Sequence, residues 1–263
     1  MPKTAAKDVE INYKEEGKGV SLVLLHGLSD DSTLWEPLIP EFSKRYRTIT
    51  LDIRGHGFSS KPEMPYSIEL FSEDLSRFLE KLGISQAHLI GLSMGAAIVQ
   101  QFALDHPEKV RSLTLLSTFS YIDPHLQSSL TDLRNSIVTG GLTAFFDEAV
   151  KLVVTAEFAS ANLDAIAEMK LKSIQVNSPE SILRAIDACL NFNVKERISK
   201  ISSPTLIISG REDVLTPLHL AEQIHRSIRW SKWKIMESVG HNLIIPEKIP
   251  ELTQSILEFL ENL

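Results

Sequence analysis

The sequence predicts an α/β protein built on a mostly parallel central sheet with helices on both faces. Short apolar runs alternate with amphipathic helical stripes over residues 20–120, and the same alternation returns after residue 196. Between these two regions, residues 121–195 carry helical patterns but no convincing strand. We therefore expect a core domain made of residues 1–120 and 196–263, with an all-helical cap inserted at 121–195.

Seven runs have the pattern of strands. Residues 9–13 alternate apolar and polar side chains, as an edge strand does. The remaining six runs are short and mostly apolar, which is typical of parallel strands that are covered on both faces. They are residues 20–25, 46–51, 88–92, 110–116, 204–209 and 232–236.

Helical spacing predicts the layers around this sheet. In the core, Ser32 or Thr33 opens a short helix, and an apolar stripe over residues 68–82 stops at Gly83. Further core helices are expected after residues 95 and 217 and over residues 250–263. In the insertion, Asp123 is a plausible N-cap of a first helix that the Gly-Gly pair at 140–141 ends. Three more stripes cover residues 142–153, 163–174 and 178–189.

Composition narrows the class of partner. The 263 residues carry a net charge of −7 and no basic run, which argues against nucleic acid or an anionic membrane as the main partner. The first residues lack the apolar segment of a signal peptide, and no apolar run approaches the ~20 residues needed to span a bilayer. Cys189 stands alone, which excludes an internal disulfide, and its place on an apolar stripe predicts a core position. We expect a cytoplasmic protein, while its oligomeric state is not indicated.

The most informative stretch is Gly-Leu-Ser-Met-Gly at residues 91–95, between a buried strand and a helix. A strand that turns directly into a helix strains the backbone of the serine at the turn. It also presses the residues two before and two after that serine together, so only Gly, or at most Ala, fits at positions 91 and 95. Such a turn would expose the Ser93 hydroxyl at a helix N-terminus, where free amides favour an anionic intermediate.

A serine needs a base to become a nucleophile, and the base needs a carboxylate to orient it. Asp213 and His241 each follow a strand, and at a parallel sheet such strand ends meet at one edge. The other seven histidines lie in strands, on helices or in glycine loops, where His26 and His56 are expected to shape the backbone. Asp123 is a rival for the acid because it also follows a strand, but its N-cap position accounts for it.

Backbone amides are expected to complete the site. Met94 directly follows the serine, and Leu28 lies in the loop after the strand at 20–25. These two N–H groups are the predicted donors to an oxyanion. No metal-ligand cluster is evident, and no G-x-G-x-x-G follows a strand, so neither a metal nor a nucleotide cofactor is expected.

Taken together, these motifs resemble the α/β-hydrolase superfamily over essentially the whole chain. The strongest similarity is to the esterase and 3-oxoadipate enol-lactonase-like branch, although Ala96 stands where that branch commonly has a third glycine. A serine at residue 93 disfavours the dehalogenases and epoxide hydrolases of the superfamily, which use aspartate there. The motifs that carry the resemblance are His26-Gly27, the loop at 52–59, the Gly-Leu-Ser-Met-Gly turn, Gly210-Arg211-Glu212-Asp213 and Gly240-His241.

The resemblance implies cleavage of a small ester or lactone through an acyl-enzyme, with residues 121–195 as the cap over the pocket. Phe119 is expected to line the acyl region, and Phe145, Phe146 and Val150 are expected to descend from the cap, which would suit an apolar substrate. Two alternatives stay open. One is C–C bond hydrolysis of diketone-type substrates with the same three residues. The other is a receptor for a small signal that it hydrolyses slowly.

Overall fold

The computed structural model describes residues 3–6 and 8–263, and in that part of the chain eight strands form one sheet. Their order across the sheet is β1-β2-β4-β3-β5-β6-β7-β8. The pairs β1/β2 and β2/β4 are antiparallel, and all the other neighbours are parallel. The strands are β1 Lys3–Ala6, β2 Val9–Glu16, β3 Ser21–Leu25, β4 Arg47–Leu51, β5 Ala87–Leu92, β6 Val110–Leu116, β7 Thr205–Gly210 and β8 Ser231–Met236.

Helices cover both faces of the sheet. On one face, α2, α3 and α8 pack through large apolar side chains such as Phe78 and Phe102. On the other face, α1 and α9 enclose Phe42 and Ile256 together with Trp35. This arrangement confirms the predicted α/β class with a mostly parallel sheet. The core helices are α1 Ile39–Phe42, α2 Ile68–Lys81, α3 Met94–Asp105, α8 Leu218–Ser227 and α9 Ile249–Glu261.

Four helices lie between β6 and β7, where the sequence predicts the insertion. The first, α4, is interrupted at the Gly-Gly pair, where the sequence predicts a helix end. Gly141 has non-helical φ 66° and ψ −162°, so two helical segments meet at a kink at that residue. Asp123 accepts a hydrogen bond from the Leu126 amide at 2.8 Å and caps α4 as expected. The four helices are α4 Pro124–Val153, α5 Ala156–Ala161, α6 Leu163–Val176 and α7 Pro179–Leu190.

Short elements account for the differences from the sequence prediction. Neither β1 nor the six-residue α5 was expected, because four to six residues hold too few repeats of a periodic pattern. The single helix predicted after Ser32 is a 3-10 turn over Ser32–Trp35 followed by α1. Asp31, one residue earlier than expected, caps that turn by accepting from the Thr33 amide.

The central strand fixes where a site can form. Every residue of β5 is buried, and β5 lies between β3 and β6. Gly91 pairs with Leu25 and Leu92 pairs with Leu116, so these three strands end at the same edge of the sheet. Loops that carry polar side chains leave the sheet at this edge, which is where open parallel sheets form their sites. In the described part of the chain, no helix is both long and apolar enough to span a membrane.

Candidate active site

Ser93 occupies a strained turn between β5 and α3. Its φ of 53° and ψ of −113° lie outside the regions that side chains usually adopt. A Cβ atom on Gly91 would lie 2.4 Å from the carbonyl carbon of Gly95, and one on Gly95 would lie 2.3 Å from the carbonyl oxygen of Leu25. Both positions therefore exclude any side chain. The Ser93 amide donates to the Leu116 carbonyl at 2.9 Å, which anchors the turn to β6.

His241 and Asp213 are in direct contact. The Nδ1 atom of His241 lies 2.9 Å from Oδ2 of Asp213, and both side chains are buried. A proton on Nδ1 that is donated to this carboxylate leaves Nε2 as the ring atom free to accept a proton. His241 and Ser93 both line one cavity, described below. The structure therefore brings all three predicted side chains to the same edge of the sheet.

The carboxylate of Asp213 is held by hydrogen bonds to both of its oxygens. Oδ1 accepts from the amides of Leu215 and Thr216, at 2.9 and 2.8 Å. Oδ2 accepts from the Thr216 hydroxyl at 2.7 Å, and that hydroxyl oxygen is also 3.0 Å from His241 Nδ1. Thr216 is a site residue that sequence reasoning missed, because its place before Pro217 suggested only the start of a helix. The available signal was its position three residues after an aspartate, the spacing at which a hydroxyl and an amide can both reach the carboxylate.

The loops that carry Asp213 and His241 are pressed together. A Cβ atom on Gly210 would lie 2.1 Å from the carbonyl oxygen of Gly240. The amide of Glu212 donates to the Val239 carbonyl at 3.0 Å across the same contact. From the other side, the Ser117 hydroxyl donates to the His241 carbonyl at 2.6 Å. These contacts fix the imidazole relative to its carboxylate.

Three further residues, the rival acid Asp123, the neighbouring Glu212 and Cys189, take no part in the acid–base contact. Asp123 contacts the exposed His219 at 2.7 Å besides capping α4, which places it at the start of the insertion. Glu212 is exposed. Cys189 is buried, and burial raises the pKa of its thiol to about 12, so it is a core residue and not a reactive one.

Leu28 and Met94 have amides that are available to a ligand. Within residues 3–6 and 8–263, neither N–H group donates a hydrogen bond to another residue. The loop that carries Leu28 is shaped by His26, whose Nδ1 contacts the Gly27 carbonyl at 2.7 Å and whose Nε2 accepts from the Ile53 amide at 3.0 Å. Burial lowers the pKa of His26, which is consistent with this neutral role.

A cavity of about 370 Å³ opens over Ser93 between the sheet edge and the inserted helices. Phe145, Phe146 and Val150 line it, as expected from the sequence. Phe119 is not among the lining residues, because it packs edge to face against Phe192 in the core, with ring centroids 5.9 Å apart. Lining residues that the sequence did not suggest include Asp30, Leu133, Ala149, Val153, Ile166, Met169, Lys172 and Ile244.

Four contacts connect the inserted helices to the loops of the site. Lys172 of α6 lies 3.5 Å from the Asp31 carboxylate and donates to the Thr33 hydroxyl, in the loop that also carries Leu28. Asn177 donates to the carbonyl of Ser29 in that loop at 2.8 Å. At the other end, the amide of Asn242, next to His241, donates to the Val153 carbonyl at 2.7 Å.

Comparison with known proteins agrees with this geometry. Residues 20–248 match the family described as having the α/β-hydrolase fold, so the chain belongs to that family. Within it, the chain is similar to hydrolases of ester-type substrates and to proteins named as carbamate hydrolases.

Particular relatives are distant but match over nearly the whole chain. A protein of Stutzerimonas stutzeri named "Putative carbamate hydrolase RutD" is 26% identical over 254 residues, which is 95% of this chain and 95% of that protein. The structure of an enol-lactonase from Burkholderia xenovorans superposes with a TM-score of 0.92 at 24% identity and covers 99% of this chain and 100% of its own. The structure of Est816, described as an N-acyl homoserine lactone degrading enzyme, gives a TM-score of 0.85 at 28% identity and covers 97% and 99%.

Proposed function

We propose that this chain is a serine hydrolase that cleaves small, largely apolar esters or lactones through an acyl-enzyme. The observation that carries the proposal is the set of three side chains at one sheet edge. Ser93 lies on a strained turn, and His241 lies on the same cavity with Nδ1 2.9 Å from the buried Asp213 carboxylate. Such a set activates a hydroxyl for attack on a carbonyl carbon.

In the first half of the reaction, Nε2 of His241 takes the proton of the Ser93 hydroxyl as its oxygen attacks the carbonyl. Asp213 orients the imidazole and stabilises the imidazolium that forms. The amides of Leu28 and Met94 donate to the tetrahedral oxyanion. Neither amide donates to another group within the described residues, which supports this role. His241 then gives its proton to the leaving alkoxide.

In the second half, water attacks the acyl group on Ser93, and His241 again acts as base and then as acid. The acid is released and the serine regains its proton. All proton transfers in the cycle run through one imidazole, so the hydrogen bonds that position its ring are expected to affect both halves.

The cavity supports a small apolar acyl or alcohol group. Its volume of about 370 Å³ is near the lower end of the ligand-pocket range. Side chains of α4, including Leu133, Phe145 and Val150, supply much of its apolar lining. We propose that residues 121–195 act as a cap over it. The lactone-degrading activity ascribed to Est816 supports lactones as one substrate group, and the name of the Stutzerimonas relative supports carbamates as a second acyl class to assay.

The test is turnover of p-nitrophenyl esters from acetate to dodecanoate by the wild type and by Ser93→Ala. We expect turnover of the short esters and loss of at least about 10³-fold in kcat for the variant, with an unchanged unfolding curve. Ser238→Ala is the matched control, because Ser238 also has positive φ (54°) but is exposed and does not line the cavity. Full activity in Ser93→Ala would contradict the proposal, and so would the absence of turnover of any ester, lactone or carbamate by the folded wild type.

A further inference from the structure

Asp30 is a carboxylic acid on the cavity wall that the hydrolytic cycle does not use. It lies in the loop between β3 and the Ser32–Trp35 turn, and it lines the cavity together with Ser93 and His241. A Cβ atom on Gly27 would lie 3.2 Å from Oδ2 of Asp30 and 3.6 Å from Cβ of Ser93. The carboxyl group and the nucleophile therefore flank the same glycine.

The neighbouring carboxylates of Asp31 and Asp52 accept hydrogen bonds, whereas the Asp30 carboxyl forms no hydrogen bond or salt bridge in residues 3–6 and 8–263. Asp31 accepts from the Thr33 amide at 2.8 Å and pairs with Lys172. Asp52 accepts from the amides of Ser32 and Phe58. For Asp30, the only hydrogen bond in the described residues is that of its own amide, which donates to the Gly27 carbonyl at 3.4 Å. Both carboxyl oxygens are free to meet a ligand in the cavity.

The electrostatic setting of Asp30 fits a functional group. Burial is the largest cause that raises the pKa of its carboxyl to about 7, and the adjacent Asp31 raises it further. His241 and Lys172, which line the same cavity, act in the opposite direction and lower this pKa. A structural carboxylate usually gains hydrogen bonds in exchange for such desolvation, and Asp30 gains none inside the described chain.

The charges around Asp30 indicate which substrates it favours. The cavity wall at this point carries two carboxyl groups, Asp30 and Asp31, and one lysine, Lys172. Lys172 already contacts Asp31 and Thr33. Once Asp30 is ionised, above about pH 7, a substrate carboxylate at this wall would therefore meet net negative charge. A neutral O–H or N–H group would find an acceptor without a competing donor.

We propose that Asp30 is a specificity-determining residue that accepts a hydrogen bond from an O–H or N–H group of the substrate, placed a few bonds from the reacting carbonyl. The proposal rests on the hydrolase function proposed above. It narrows the substrate class from small apolar esters to small esters that carry one polar donor near the scissile bond. The rest of the cavity still receives the apolar part of such a molecule.

Two pairs of isosteric esters test this proposal, because each pair differs only in replacing a methyl group by a hydroxyl. For the acyl side the pair is p-nitrophenyl 3-hydroxybutanoate and p-nitrophenyl 3-methylbutanoate. For the alcohol side it is 2-hydroxyethyl butanoate and propyl butanoate, followed by acid release. We expect the wild type to favour the hydroxyl compound in at least one pair by about tenfold in kcat/KM.

Variants then assign this preference to Asp30. In Asp30→Ala the ratio within the favoured pair should fall to about one, because the hydroxyl compound loses its acceptor and the methyl compound has none to lose. Asp30→Asn keeps an acceptor without the charge and should retain an intermediate ratio. The control is Glu36→Gln, which removes an exposed carboxylate that follows the same loop and does not line the cavity. This variant should keep the wild-type ratio of the two kcat/KM values.

The outcomes separate this proposal from the proposed function. If the wild type hydrolyses the methyl esters and Ser93→Ala does not, the proposed hydrolase function is supported independently of Asp30. With that reaction in place, equal rates within both pairs for the wild type, or an unchanged ratio in Asp30→Ala, would overturn the role of Asp30. The ratio should also rise with pH through about 7 in the wild type as the carboxyl ionises, and stay flat in Asp30→Asn.

Discussion

Gly210 and Gly240 lie so close that a Cβ atom on the first would be 2.1 Å from the carbonyl oxygen of the second. Gly210 is the last residue of β7 and precedes Asp213 by a few residues, and Gly240 lies in the loop after β8, directly before His241. Backbone contact between two strand-end loops thus sets the distance between the acid and the base. The arrangement leads to a prediction that a substitution outside the three proposed catalytic residues can test.

Gly210→Ala is expected to move the two loops apart. Overpacking of this kind costs about 1–3 kcal/mol of unfolding free energy, and we expect kcat/KM for a short ester to fall at least tenfold because the Asp213–His241 contact loosens. Thermal unfolding and ester turnover measure the two effects. Gly83→Ala is the control. Gly83 has φ 67° and no atom within 4 Å of its added Cβ, so strain there should lower stability but leave kcat/KM intact. Equal activity of the two variants would contradict the packing argument.

Thr216→Val is expected to lower kcat about five- to tenfold with little change in KM. The substitution keeps the volume of the side chain but removes the hydroxyl that donates to Asp213 Oδ2 at 2.7 Å, a hydrogen bond of about 1 kcal/mol. Thr216→Ser retains the hydroxyl and should recover most of the rate. If Thr216→Val and Thr216→Ser were equally active, the hydroxyl would have no part in positioning the carboxylate.

Lys172→Met is expected to raise KM about three- to tenfold while kcat changes less than twofold. Lys172 joins α6 to Asp31 and Thr33 in the loop that carries Leu28, so its loss loosens the inserted helices over the cavity. The matched control is Lys170→Met, because Lys170 pairs with Asp147 inside the insertion and not with the core. Steady-state kinetics at low and high salt distinguish the two variants. Salt screens the Lys172–Asp31 pair of the wild type, so the difference in KM between the wild type and Lys172→Met should shrink at high salt. A KM that is unchanged in Lys172→Met would argue against this tie.

Asp30→Asn is expected to unfold a few degrees higher than the wild type at pH 8, and at the same temperature near pH 4. The folded-state pKa of Asp30 is about 7, whereas an aspartate in an unfolded chain titrates near its ordinary value of 3.8. Between pH 3.8 and about 7, Asp30 is protonated in the folded chain but ionised in the unfolded chain. The free energy of unfolding therefore falls as the pH rises through this range, and it stops falling near pH 7. Asparagine has no such proton. Calorimetry at both pH values measures the difference, with the exposed Asp132→Asn as control. A difference that is equal at both pH values would contradict the raised pKa.

Local chemistry made the edge of the sheet that carries the candidate site predictable. The spacing of Gly91 and Gly95 around Ser93 reflects backbone contact that no other residue tolerates, and that requirement is visible in the sequence. The alternation of strands and helices likewise follows from burial on both faces of the sheet. These features depend on residues that are adjacent along the chain or repeat with a fixed period.

Features that depend on contacts between distant parts of the chain could not be predicted from the sequence. Lys172 meets Asp31 only because α6 lies over the loop after β3, and no pattern along the chain encodes that contact. Phe119 and Phe145 look alike in sequence, yet one packs against Phe192 in the core and the other lines the cavity. Asp30 gave no periodic signal either, because its environment comes from the cavity and not from its neighbours in sequence.

In the proposed cycle Ser93 is the nucleophile on which every step depends, and covalent trapping tests that role most directly. The wild type would be treated with diethyl p-nitrophenyl phosphate, an acylation mimic that releases one p-nitrophenolate for each serine it phosphorylates. Digestion and mass spectrometry then locate the adduct. We predict one diethylphosphoryl group for each chain, carried by Ser93, with inactivation proportional to labelling and no adduct in Ser93→Ala. An adduct on another residue that accompanies inactivation, or full activity in protein labelled at Ser93, would contradict this assignment.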